Sequence, residues 1–253
     1  MSEETIQLQS EFDLLVGQRG TYEAHWSKAA RIGSPRDDHF SQESFTQGEQ
    51  VRRFQYDERA EQTLDRSTAL FGSVTTPEDQ TYHKLRQTNS ELDKLQVVRE
   101  YFDQVNEALF KWRYSPRAGF AVSKHEQNRS LLGFGTGTMF IGAGRGDPRF
   151  RNPLWYKAIH LSETFISENQ QGFVDKVYRR FKMSGRQIID EYGEKKVPSG
   201  SREQIKKESE TFFTVIHAVR PNPDFDPESL NPDKFMYISR HWLYGRDGDS
   251  FLR

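Results

Sequence analysis

Apolar and polar positions alternate along residues 155–165, where Ile159, Leu161 and Phe165 share one face and His160, Ser162 and Thr164 the other. That period-two pattern predicts a strand. Glu168-Asn169-Gln170-Gln171-Gly172 follows as a polar turn, with Gly172 free to take a positive φ. Phe173, Val177 and Phe181 then alternate with Lys176, Tyr178 and Arg180, which predicts a second strand with the first three on its covered face. On that reading, Phe173→Ala or Val177→Ala costs about 2–4 kcal/mol. Ser184 precedes Gln187 at the spacing of a capping box, so a helix opens at Gly185.

The strongest helical pattern runs over 91–112. Leu92, Leu95, Val98, Phe102, Val105 and Leu109 form one stripe, with Ser90 as the N-cap. Glu91 near its start and Lys111 and Arg113 near its end suit the helix dipole, and Ser115-Pro116 stops it. Residues 1–60 read as helical but irregular. A stripe through Phe12, Leu15 and Gln18 continues through Tyr22, His25, Trp26 and Ala29, interrupted at Gly20, and Gly33-Ser34-Pro35 breaks it. A further helical pattern through Phe54, Ala60, Leu64 and Leu70 ends near Gly72. Beyond the hairpin, Ser201 and Gln204 predict the start of a charged helix reaching Glu210. Residues 211–219 and 235–242 read as strands, separated by an acidic loop broken by Pro221, Pro223, Pro227 and Pro232. Gly245-Arg246-Asp247-Gly248 reads as a hairpin turn, and Phe251-Leu252 as the start of a return strand. A strand cut at its start predicts a fragment or a truncated copy. The fold class is therefore α+β. N-terminal helices, one of them long and amphipathic, precede mainly antiparallel strands and hairpins, with the division falling at 1–128 and 129–253.

Composition narrows the function classes. Only 34% of the residues are hydrophobic, but 13% are aromatic, which excludes a globally disordered chain. Thirty-six Lys and Arg against 37 Asp and Glu give a net charge of −1, so no global polycation points to nucleic acid. The charge is unevenly placed. Residues 111–157 hold nine Lys or Arg and only Glu126 and Asp147 as acids, whereas residues 221–233 hold four acids and no base. With no cysteine there is neither a disulfide framework nor a thiolate metal site. The acidic N-terminus is no signal peptide, and no run of 18 apolar residues is present.

Candidate chemistry is sparse. The glycine-rich run 133–146 lacks the Gly-Lys-Ser/Thr ending of a phosphate loop, so it reads as small residues at a close packing contact. None of the seven histidines has the spacing of a zinc hydrolase, no serine lies in a nucleophile elbow, and the acids at 224–233 lack the order of a calcium loop. Neither a catalytic role nor a cofactor or metal is expected. Arg179, Arg180, Lys182 and Arg186 form a basic cluster interleaved with Tyr178 and Phe181 that suits phosphates or acids on a neighbour. Strand alternation places Arg179 and Arg180 on opposite faces.

Leu161 and Glu163 stand before the turn; Gly172, Val174, Asp175, Val177, Tyr178 and Arg179 after it; then Met183, Ser184 and Gln187. In that order these motifs resemble one family, the head-to-tail connecting (portal) proteins of short-tailed phages. Upstream, Leu70, Gly72, Thr76 and Pro77 match, with Tyr82 where the family commonly has tryptophan. Residues 129–141 are similar to its Leu-Gly-x-Phe-Gly-Thr-Gly stretch, and Val215, His217, Val219, Arg220 and Pro221 resemble its downstream strand. The likeness covers residues 10–253, in order. It implies the outer wing of a portal, cut before the tunnel-lining stem and the clip. It also implies a structural, non-enzymatic role in a virion ring, typically of twelve copies, at one capsid vertex, after assembly in the host cytoplasm. The implied partners are other copies, the terminase packaging motor, tail adaptor and capsid proteins, and double-stranded DNA in the channel, with no membrane. Arg145, Arg149, Arg151, Arg179, Arg180 and Arg186 are the candidates for DNA or subunit contact. The alternative is a nucleic-acid-binding module using the basic 111–157 segment.

Overall fold

The computed structural model describes residues 3–38, 40, 57–144, 152–245 and 251–252. The chain divides into two compact units, one of residues 1–23 with 162–253 and the other of residues 24–161. Helix α1, Glu3–Gly33, contributes to both. It runs unbroken through Gly20, contrary to the interruption expected there. Its buried positions Thr5, Leu8, Phe12, Arg19, Ser27 and Ala30 recur at helical spacing, offset from the stripe read in the sequence. Thr, Ser and Arg occupy three of these covered positions, which hid the true face from a count of apolar residues.

In the second unit, the end of α1 packs Trp26 and Ala30 with Phe40, Phe134 and Leu161. Four helices follow: α2 (Arg59–Thr75), α3 (Ser90–Asp93), α4 (Gln96–Arg113) and α5 (Phe120–Phe134). The helix expected over 91–112 is thus broken, and its cap is Asn89, not Ser90: the Asn89 side chain accepts from Glu91 N–H at 3.0 Å. At the break, Arg99 Nε donates to the Asp93 carbonyl at 2.7 Å and so satisfies an acceptor left without a helical partner where α3 ends. Strands β1 (Thr138–Ala143) and β2 (Leu154–Ile159) form an antiparallel pair. Gly137 lies where α5 passes closest: a Cβ there would stand 2.4 Å from the Gln127 carbonyl oxygen, the close packing expected of the glycine-rich run. Rings step from Tyr82 to Phe110, Tyr114, Phe120 and Tyr156 at centroid distances of 5.8, 4.7, 5.2 and 5.0 Å. Arg129 on α5 gathers the acids of its neighbours. It faces Asp37 at 3.5 Å, Glu61 at 3.9 Å and Asp65, and donates to Ser34 Oγ at 3.0 Å.

In the first unit, β3 (Thr164–Glu168) and β4 (Val174–Ser184) form the expected hairpin, with Gly172 at φ +79°. After α6 (Gly185–Tyr192) and α7 (Ser199–Lys207) come β5 (Phe212–Pro221) and β6 (Tyr237–Leu243). The sheet order is β3-β4-β5-β6, antiparallel throughout. One face packs Phe165, Tyr178, Ile216, Ala218 and Trp242 against Leu8 and Phe12 of α1. The other packs Phe213, Val215 and Leu243 against Ile188, Val197, Ile205 and Leu252. Both faces of the central strands are covered, so β5 buries Val215 and Ile216 side by side.

Three expectations fail here. The strand expected over 155–165 is two strands, because a 3-10 turn at Leu161–Glu163 separates β2 from β3. Phe173 is 68% exposed, so Phe173→Ala carries no cavity cost; Phe181 of the same parity does pack on the core beside α6, but Tyr178 of the opposite parity is fully buried, so the expected covered face of β4 is one of two. Helix α7 starts at Ser199, with Ser201 inside it and Pro198 as its cap. The capping box at α6 is present in full. Ser184 Oγ accepts from Gln187 N–H at 3.3 Å, and Gln187 Oε1 accepts from Ser184 N–H at 2.9 Å. Ser184→Ala is expected to cost about 1 kcal/mol, read as a lower urea midpoint; an unchanged midpoint would show that α6 needs no cap. Of the turn expected at 245–248, Gly245 has φ +67° and the rest lies outside the described residues. Leu252 N–H does return to the His241 carbonyl of β6, at 2.7 Å.

Candidate interaction surfaces

Strand β4 splits the basic cluster. Arg179 Nε donates to Glu163 at 2.9 Å, and its guanidinium lies 4.4 Å from the Phe181 ring centroid. Arg180 leaves the opposite face, 5.4 Å from the Phe165 ring. Arg186, at the start of α6, has an exposed side chain, while its backbone N–H donates to the Ser209 carbonyl. The three therefore do not form one surface. Arg145, Arg149 and Arg151 lie outside the described residues. Of the other bases in 111–157, Lys111, Arg117 and Lys157 are exposed, and Arg113, Lys124 and Arg129 are partly buried among side-chain partners.

Glu11 was not singled out in the sequence. Burial alone raises its pKa, but Tyr178 Oη donating at 2.7 Å and Lys176 Nζ at 3.2 Å outweigh that and hold it below the usual carboxylate value. Burial, with the Glu11 hydrogen bond added, pushes the Tyr178 phenol upward. The lowered Glu11 contributes stability above the ordinary carboxylate pKa that is lost as pH falls through the lowered value. The raised Tyr178 contributes stability below about pH 10 that is lost as pH rises through the raised value. Urea midpoints from pH 3 to 11 should fall at both ends, and Tyr178→Phe should flatten the alkaline fall. An alkaline limb unchanged by Tyr178→Phe would overturn this assignment.

One end of the first unit's sheet is unusually apolar. Register places the β3–β4 turn beside the β5–β6 connection, since Glu168 pairs with Val174, Val177 with Val219, and Pro221 with Tyr237. Both segments are pinned. Asn169 Oδ1 accepts from Gln171 and Phe173 N–H at 2.9 and 3.0 Å. Buried Asn222 donates to the Asp233 and Phe235 carbonyls at 2.9 and 2.8 Å and accepts from Asp224 N–H. On this ordered frame Phe173 is 68% exposed, Phe225 48%, Leu230 95%, Phe235 51%, Met236 58% and Tyr237 49%. The sequence offered the acids of this loop but not the patch, whose parts lie far apart along the chain.

In the second unit a cleft of about 330 Å³ opens between α2 and α5, lined in part by Gly72, Tyr114, Phe120 and Asn128. The Asn128 side chain is 1% exposed, and neither of its amide atoms has a hydrogen-bond partner in the protein. Among the described residues no three His, Cys, Asp or Glu side chains gather to hold a metal ion. Among them, too, no helix is long and apolar enough to cross a membrane.

The family model for the bacteriophage head to tail connecting protein matches residues 5–253. A probable portal protein of Bordetella phage BPP-1 is 23% identical over 257 residues, covering 100% of this chain and 45% of its own length. The portal protein of Salmonella phage epsilon15 is 22% identical over 243 residues, covering 94% and 42% respectively. The chain thus spans less than half the length of these curated relatives.

Proposed function

Because the chain belongs to the bacteriophage head-to-tail connecting protein family, we propose that it forms part of a portal ring. The ring, typically of twelve copies, stands at one capsid vertex and passes double-stranded DNA during packaging and ejection. The helical part read over 1–128 and the hairpin-rich part read over 129–253 are both assigned to its wing, with α5 running across that division. The match over nearly the whole chain is the observation that carries this reading. Side chains such as Val97, 77% exposed, and Leu230, 95% exposed, fit a subunit whose surface is completed by neighbours. The work is mechanical and electrostatic, and no side chain is assigned to covalent chemistry. The packaging motor, tail adaptor and capsid proteins are its further partners, in the virion and during assembly in the host cytoplasm. Arg186 is exposed and suits contact with DNA or a neighbour, and Arg145, Arg149 and Arg151 are candidates by charge alone. Arg179 is engaged by Glu163.

Light scattering with negative-stain microscopy, on this chain and on the full product of its gene, tests the proposal. Rings of uniform subunit number with a central channel are expected from the gene product. Monodisperse monomers, with no channel at any concentration, would overturn it.

A further inference from the structure

We propose that the apolar end of the β3–β6 sheet docks onto a second copy of this chain, in a head-to-tail contact with the cationic aromatic surface carrying Trp155 and Lys157. The proposal rests on the ring reading and assigns the surfaces that the ring uses. Size is the first argument. At roughly 200 Å² per full side chain, the exposed fractions of the six residues from Phe173 to Tyr237 amount to about 700 Å². That exceeds the largest apolar patch of most monomers, about 300–600 Å², and approaches the roughly 800 Å² each partner buries in a stable complex. Order is the second. Asn169 and Asn222 fix both segments through their own backbones, so docking costs little loop entropy.

Charge selects the partner and the symmetry. The β5–β6 connection that carries most of the patch also carries exposed Asp224, Asp226, Glu228 and Asp233, with Lys234 the one base among residues 222–236. A two-fold contact would press these acids against their own copy, so a self-complementary dimer is disfavoured. A heterologous contact instead meets a different surface, and it either closes into a ring or continues as a filament. The chain offers a surface of the opposite sign. Trp155 and Lys157 alternate with buried Tyr156 and so leave the outer face of β2. Asn152 Nδ2, donating to the Trp112 carbonyl at 3.1 Å, brings the end of α4 and its exposed Lys111 to the start of that strand. Trp112 and Trp155 are 41% and 40% exposed, so apolar area meets apolar area and lysine meets carboxylate.

The absence of native cysteine makes a clean test available. Ser229→Cys in one sample of the chain and Lys157→Cys in another are mixed and treated with a short bis-maleimide. A covalent pair is expected in the mixture, about tenfold above either variant alone, and Leu230→Asp in the Ser229→Cys chain should remove that excess. Leu230 is 95% exposed, so this change leaves folding intact. Phe212, exposed at the opposite end of the sheet, supplies the control: Phe212→Cys with Lys157→Cys should give background yield. Equal yields from the two ends, or no covalent pair, would overturn the assignment. If the gene product still forms rings, the surface is wrong and the ring reading survives; if it does not, both fall.

Discussion

Phe12→Ala should remove about 3–5 kcal/mol from the first unit. The ring is fully buried in α1 and lies 4.9 Å from Phe165, edge to face, and 6.1 Å from Tyr178. Truncation leaves a void between helix and sheet that neither side can close without moving backbone. Domain stabilities are themselves of the order of 5–15 kcal/mol, so a loss of this size is a large share of the total. Phe173→Ala, an aromatic deletion of the same size in the same unit, should stay within about 0.5 kcal/mol, because its ring is mostly in water. Hydrogen exchange read on β5 and β6 separates the two, since only the first variant should lose protection there. Full protection of β5 in Phe12→Ala would mean that α1 does not cover the sheet.

Arg129→Met should be a strongly damaging change in the second unit, at about 2–4 kcal/mol. The side chain is 20% exposed and is the shared neighbour of Asp37, Glu61 and Asp65, so its removal leaves three carboxylates repelling one another around an apolar replacement. Glu61 is 7% exposed and has the most to lose. A fully buried pair costs more to break, and the figure is lowered for the water that reaches Arg129 and Asp65. Arg129→Lys keeps the charge but not the planar fork, and should fall between the two. The readout is exchange protection in α2 and α5, which the arginine joins. A loss below about 1 kcal/mol with α2 still protected would show that the cluster contributes nothing net.

Local chemistry was the legible part of this fold. The turn at Gly172 and the capping box at Ser184 depend on residues at most five apart, and both are present as read. The facing of β4 was not legible, for a physical reason: helices cover both sides of the sheet, so neither parity of the strand is wholly polar. Tyr178 sits deepest with its hydroxyl satisfied by Glu11, and it reads as polar in any alternation count. The 3-10 turn at Leu161–Glu163 hid for a related reason, since Ile159, Leu161 and Phe165 are all buried although in different clusters. Among the candidate site residues, the split between Arg179 and Arg180 followed from strand geometry alone. The apolar sheet end did not, because pairing register, not sequence proximity, sets the β3–β4 turn with Phe173 beside the β5–β6 connection that carries Leu230.

The bond from Trp242 Nε1 to Gln9 Oε1 spans 233 positions, and that from Arg220 to Glu4 spans 216. At roughly 5–20 residues per second, the first helix leaves the ribosome about 10–50 s before its sheet exists. Residues 24–161 have all their own contacts available within that interval and can fold while it waits. The helix is therefore made before the sheet that buries it, and during the wait the Leu8–Phe12 face is open to the finished sheet of any other chain nearby. Wherever several copies are translated close together, this order makes the pairing of the helix with its own sheet a contest of local concentration.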